Sequence, residues 1–393
     1  EQRGMTMRKG NNKKNAAHHA LGHKIISGYK NAKSYIDEKI KSIFLSKKKT
    51  FLLLATCIFT VLFGVEILII LIRNSFYCNF SDDLLQYYSI IVDFITQVKA
   101  GTVSFFNLNN YLGASYYSDV YYIPLDVFTL ITFLLSYLMP TQLAYSVTEL
   151  FKIFIGVLAF AYYLDKEGMK NRTIFWAGMI YFVAGGSVSF MAFPAFLSLI
   201  FYLPLALLVI HWSFERKKWL VPLFACVLVF YNFYLAYMAL IFTGFMFILE
   251  YLKREDFRFG KFLKDGIVFL GLLLLGLGMS LVILYPSIQF ILQDTYRVTG
   301  TFNYWGIQIG NYELKLFQPE IYIRFLAKMF TEQYPTGFYG FAQDYTKEHA
   351  SLYITMTGLV IMTGVFFMKD RVSRIYKIAI VLGLIMMVFP FFS

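Results

Sequence analysis

The sequence predicts an all-α, polytopic membrane bundle with a long first outer loop carrying interfacial helices, and three observations predict it. Hydrophobic residues make up 58% of the chain and aromatic residues 20%, with a mean hydropathy of +0.58. Only 15% are charged, where a soluble domain carries about a quarter. Several apolar runs approach the length of about 20 residues that a helix needs to cross the hydrocarbon core. Alternating strands of about 10 residues, the mark of a membrane barrel, are missing from the pattern.

The charge is unevenly placed. The net charge of the 393 residues is +12, and residues 1–50 hold thirteen Lys and Arg against three acids. This tail, residues 1–50, reads as a cytoplasmic anchor on anionic membrane lipid and not as a nucleic-acid binder. His18, His19 and His23 have no nearby acid or Cys to complete a metal site, so they read as solvated. Cys57, Cys78 and Cys226 are scattered and give no disulfide framework. The first apolar run lacks a small-residue cleavage site and reads as a retained span. Both termini look arbitrary, so the chain is expected to be part of a longer protein.

Residues 24–46 carry apolar side chains at spacings that suit a helix lying on the membrane. Residues 51–72 are the first span of a membrane domain covering 51–393, and Lys47, Lys48 and Lys49 before it orient the N-terminus to the cytoplasm. The loop that follows, 73–142, is then outside. Within it, residues 83–98 have apolar positions at 84, 87, 88, 91, 94, 95 and 98, which predicts an amphipathic interfacial helix. Gly101, Asn107, Asn109, Asn110 and Gly113 mark an irregular polar stretch beyond it.

Residues 123–139 are apolar but short. If they cross, the basic loop 165–172 lies outside. If they dip in and return, that loop lies inside, with the later basic loops at 216–218, 253–264 and 369–377. The second arrangement is preferred on the charge rule. Further spans are expected at 143–164, 174–192, 195–214, within 219–251 as two short helices turning at residues 231–234, and at 266–285, 352–368 and 376–392. That makes about nine, with a second outer loop at 286–351. No internal repeat of the transporter kind is visible.

Chemistry is therefore sought on the outer side. Asp82 and Asp83 are adjacent carboxylates just beyond the first span, a pattern able to deprotonate an acceptor hydroxyl or hold a metal. Capping of the following helix is the plainer role. Asp119 is a further carboxylate in the same loop. Glu149 and Lys152 lie inside an apolar run, three residues apart and so on one helix face. They read either as a structural ion pair or as a site where Lys152 meets a lipid phosphate, and Glu66 in the first span raises the same question more weakly. Arg297 and other cations of the second outer loop are candidates for gripping a phosphate. Phosphate-binding glycine loops, dinucleotide fingerprints and common hydrolase motifs are not found. Whether a metal takes part is left open.

Several segments together resemble the YfhO-like bacterial membrane proteins. They are the D-x-x-x-Q-Y run at 82–87, Tyr111-Leu112-Gly113 leading into residues 121–125, 150–156 with Lys152 in place, 202–215, 232–238, Pro286-Ser287 and residues 316–319. The likeness covers roughly residues 50–393 and rests on the order of the motifs. It implies a GT-C-like fold and a glycosyltransferase of the bacterial plasma membrane. Such an enzyme moves a sugar from a polyprenyl-phosphate-linked donor to a cell-wall polymer such as lipoteichoic acid. It implies that Asp82 is the catalytic base. The residues themselves offer Asp83 or Asp119 as a second carboxylate, and Lys152 and Arg297 as candidates for the donor phosphate. The family tends to have Gly-Asp after the Leu-Gly pair, where this chain has Ala114-Ser115, which puts the second carboxylate in question. Family members usually run further, so a C-terminal part is expected to be missing. A transporter or flippase of lipid-linked saccharides is the alternative.

Overall fold

The computed structural model describes residues 44–76, 83–103, 106–107, 114–115, 125, 127–184, 194–293 and 355–388. Residues 24–43 of the expected surface helix, Asp82, Asp119, Arg297 and the greater part of the second outer loop lie outside the described residues.

Twelve helices among the described residues matter here. They are α1 (Lys47–Arg73), α2 (Ser89–Ala100), α3 (Val127–Leu135), α4 (Thr141–Lys166), α5 (Asn171–Val183) and α6 (Leu199–Phe214). They continue with α7 (Leu220–Tyr231), α8 (Phe233–Lys253), α9 (Phe259–Met279), α10 (Leu281–Gln293), α11 (Thr355–Gly364) and α12 (Arg371–Val388). A π-helical turn, Asp83–Tyr88, leads into α2, and a single turn, Pro194–Leu197, precedes α6. A 3-10 turn, Val365–Phe367, follows α11, and a two-residue antiparallel ladder joins Phe106–Asn107 to Ala114–Ser115. The molecule is an all-α membrane bundle, as its composition predicts.

Helix α1 shows why these sequences form spans. It is apolar nearly all round, yet it buries a single stripe at four-residue spacing: Thr50, Leu54, Ile58, Leu62 and Glu66. That stripe lies against α4 and α5. Its other faces are exposed, with Leu68 at 55% and Leu71 at 75%, where acyl chains would lie. Lipid is as apolar as leucine, so such helices associate through close packing. Gly156 of α4 provides it, since a Cβ there would meet the Ile200 side chain of α6 at 2.6 Å.

Helices α1 and α4 run antiparallel. Lys47 pairs with Asp165 at 2.5 Å at one end, and Ser146 donates to Glu66 at 2.8 Å at the other. The chain between α1 and α4 therefore leaves and returns at the same end of the bundle. Helix α3 has nine residues and rises about 14 Å, far short of a hydrocarbon core. It does not cross. Lys47, the turn after α4, the turn after α6, the turn after α8 and the start of α12 all gather at one end, here the lysine end. There Lys166 faces Glu215 at 3.6 Å, Lys253 meets Glu167 at 2.7 Å, and Arg371 donates to the Leu252 carbonyl at 3.1 Å.

Among the described residues, five helices are long and apolar enough to cross a membrane: Lys47–Arg73, Thr141–Lys166, Pro194–Phe214, Phe233–Lys253 and Phe259–Met279. The sequence leads to about nine. The remaining expected spans fall on shorter or more polar helices: α5 has 13 residues, α7 has 12, α11 has 10, and α12 opens with Arg371, Arg374 and Lys377. The break expected near 231–234 is real, but the second helix is full length. Asn232 makes the break. Its backbone is extended, and its side-chain oxygen accepts from the Tyr234 and Leu235 N–H groups at 3.0 Å each, a helix cap within the bundle.

Candidate functional site

The end opposite the lysines, the far end, holds the candidate site. Helix α4 carries it because its first half bears polar side chains in an apolar frame. Ser146, Thr148, Glu149 and Lys152 are all buried. The Lys152 ammonium donates to Glu149 Oε1 at 2.6 Å and to the Pro194 carbonyl at 3.3 Å. It also lies 5.6 Å from the centre of the Phe128 ring. Two hydrogen bonds and one ring face thus surround the ammonium. The side chains of the pair are 3% and 5% exposed, so each charge depends on the other. Beside them, Glu66 of α1 accepts from Ser146.

The first loop is packed onto this same place. Tyr88, at the end of the π-helical turn, meets Tyr145 edge to face at 5.4 Å, and Ile91, Ile95 and Tyr145 form one buried cluster. The amphipathic pattern of residues 83–98 is explained by this docking, since Tyr87, Ile91 and Ile95 face inward while Val98 is exposed. Lys99 donates to the Ser136 carbonyl at 2.5 Å and so ties the end of α2 to the turn after α3. Gly101 ends α2 with φ of +67°, a left-handed conformation that glycine adopts without strain. Leu125 donates to the Phe230 carbonyl at 2.9 Å, fixing the entry to α3 against α7. Phe128 then leads through Tyr202 to Tyr231, rings all but fully buried, with Tyr202 and Tyr231 centred 4.6 Å apart.

The sequence-derived candidates fare differently. Lys152 is where a buried cation was expected, and its described partners are Glu149, Pro194 and Phe128. Asp83 opens the π-helical turn, which is docked through Tyr88 on the residue before Ser146. Asp82, Asp119 and Arg297 lie outside the described residues. Ala114-Ser115, standing where relatives of the resemblance tend to have Gly-Asp, forms one side of the short ladder. Among the described residues, no three His, Cys, Asp or Glu side chains gather as a metal site.

A second charged cluster, at the lysine end, escaped sequence reasoning. Lys253 reaches Glu250 at 2.5 Å, Glu167 at 2.7 Å and the Tyr376 hydroxyl at 3.2 Å, while Tyr163 donates to Glu250 at 2.9 Å. His211 stands between Glu215 at 3.1 Å and Glu167 at 3.7 Å. Glu250 and Lys253 have the same three-residue spacing as Glu149 and Lys152, which is the signal that would have found them.

Residues 51–393 match the family model described as "Bacterial membrane protein YfhO". No curated protein and no solved structure matches the chain.

Proposed function

The chain belongs to the YfhO family of bacterial membrane proteins, and from that premise we propose that it is a GT-C-type glycosyltransferase using a polyprenyl-phosphate-linked sugar. The observation that carries this reading is the docking of the first loop. The π-helical turn Asp83–Tyr88 packs through Tyr88 on Tyr145 of α4, one helical turn before buried Glu149. That contact supports a reading in which the carboxylate loop and the buried cation act together.

That end faces outward in the proposal. The basic turns and Lys47 share the opposite end, and cations are favoured on the cytoplasmic side. The donor's lipid tail stays in the bilayer, and its phosphate enters the bundle wall beside α4. The acceptor hydroxyl attacks the anomeric carbon, the carbon–oxygen bond to the phosphate breaks, and Asp82 takes the hydroxyl proton. Lys152 offsets charge on the departing phosphate by giving up one of its present partners. Asp83 and Asp119 remain candidates for a second carboxylate, and Arg297 for a second phosphate contact. A cell-wall polymer such as lipoteichoic acid is the acceptor that the family likeness favours.

The test uses the full chain in native or reconstituted membranes, supplied with a lipid-linked radiolabelled sugar and a wall-polymer acceptor. Label appearing covalently on the polymer supports transfer. Label crossing the bilayer still attached to its lipid, with none on the polymer, supports a flippase instead.

A further inference from the structure

The lysine end carries a feature that sugar transfer at the far end does not use. Lys218, in the turn before α7, reaches Asp265 of α9 at 3.8 Å, which brings that turn and the first two turns of α9 side by side. Across residues 216–218 and 254–265, seven cations meet three carboxylates. Two of those carboxylates are already engaged. Asp256 accepts from Arg254 at 3.1 Å and from Lys261 at 3.0 Å, and Asp265 accepts from Tyr251 at 3.0 Å. Arg258 and Lys264 are exposed and make no described ion pair.

Below these cations the wall is apolar. Lys264, Ile267 and Leu274 share the face of α9 opposite buried Phe269 and Leu273. Ile267 is 64% and Leu274 58% exposed. A surplus of positive charge at the mouth of a lipid-facing apolar strip fits a molecule with an anionic head and an acyl tail.

We propose that this patch binds an anionic phospholipid, its phosphate held by Lys264 at the mouth of the strip with Arg258 at the start of α9 adding to the positive field, and its acyl chain lying along Ile267 and Leu274. The site is independent of the sugar-transfer reading. A zwitterionic lipid gains little here, because its own ammonium opposes the surplus cations. A free phosphate gains nothing from the apolar strip.

The full chain, purified in a neutral detergent, is titrated with a spin-labelled phosphatidylglycerol and, separately, with the phosphatidylcholine analogue. Phosphatidylglycerol should bind and phosphatidylcholine should bind far less. Arg258→Gln with Lys264→Gln should weaken phosphatidylglycerol binding roughly 25-fold, at about fivefold per cation. Neither side chain has a described ion-pair partner, so both substitutions should leave the fold intact. Lys48→Gln with Lys49→Gln removes the same charge from α1 and should change binding less than twofold. Equal loss in both pairs, equal binding of the two lipids, competition by glycerol phosphate at matched concentration, or cross-linking of α9 to a second copy would each overturn the site.

Discussion

The two ends of the bundle hold the same short motif, a glutamate three residues before a lysine, and use it differently. At the far end, Glu149 and Lys152 sit deep in α4 and are both nearly inaccessible. At the lysine end, Glu250 and Lys253 finish α8, and each bonds outward to other helices: Glu250 to Tyr163 of α4, and Lys253 to Glu167 and to Tyr376 of α12. Depth explains the difference. A charge near water can share several half-hydrated partners. A charge at bilayer depth must be matched closely by few, because every unmatched donor or acceptor there is costly. The lysine-end network fastens helices together, whereas the far-end pair holds two opposite charges against each other inside a wall.

The sharpest way to break this contrast is at Asp82. Asp82→Asn should lower sugar transfer by a factor of about 10²–10⁴, the usual cost of losing a general base, with donor binding kept. Asp83→Asn should be mild. Full turnover by Asp82→Asn would remove the far end's catalytic assignment.

Next comes Lys152. Lys152→Met strands the Glu149 carboxylate and should cost about 3–5 kcal/mol of stability. Adding Glu149→Gln should recover most of that loss. If the recovered double variant also transfers sugar at the wild-type rate, the pair is structural and no phosphate depends on it.

A smaller effect is expected from Lys253→Met, about 1–3 kcal/mol, because its 12% exposed side chain lies where water reaches the remaining carboxylates. Thermal unfolding of the two lysine variants side by side tests the ordering. A larger loss at Lys253 than at Lys152 would reverse the account of depth given above.

The smallest effect concerns pH at the lysine end. Hydrogen bonds from Lys261 and Arg254 hold the Asp256 carboxyl down to about 2, below its ordinary 3.8. A lowered carboxyl stabilises the fold above the ordinary value, and the contribution disappears as pH falls through the folded one. Asp256→Asn should therefore melt slightly below wild type at pH 7, with the gap closed near pH 2. A gap that persists at pH 2 would show that the aspartate acts through something other than its charge.

Much of this molecule is written in its sequence, because a bilayer allows few solutions. Apolar runs of span length must become helices when no water satisfies the backbone, so the bundle follows from composition alone. The docking face of α2 follows from helical spacing, and the break at Asn232 from a polar residue with capping chemistry between two apolar runs. The cations of the turns tell which helix ends belong together. What only the tertiary structure decided is which charges meet. The hydrogen bond from Ser146 to Glu66 joins residues 80 apart in sequence, and that from Tyr163 to Glu250 joins residues 87 apart, so no local pattern announces either. The same holds for Lys152, whose spacing from Glu149 is visible in the chain but whose bond to the Pro194 carbonyl is not. Local order depends on neighbours within a few residues, whereas the pairing of buried charges depends on helix rotation and depth, which packing alone fixes.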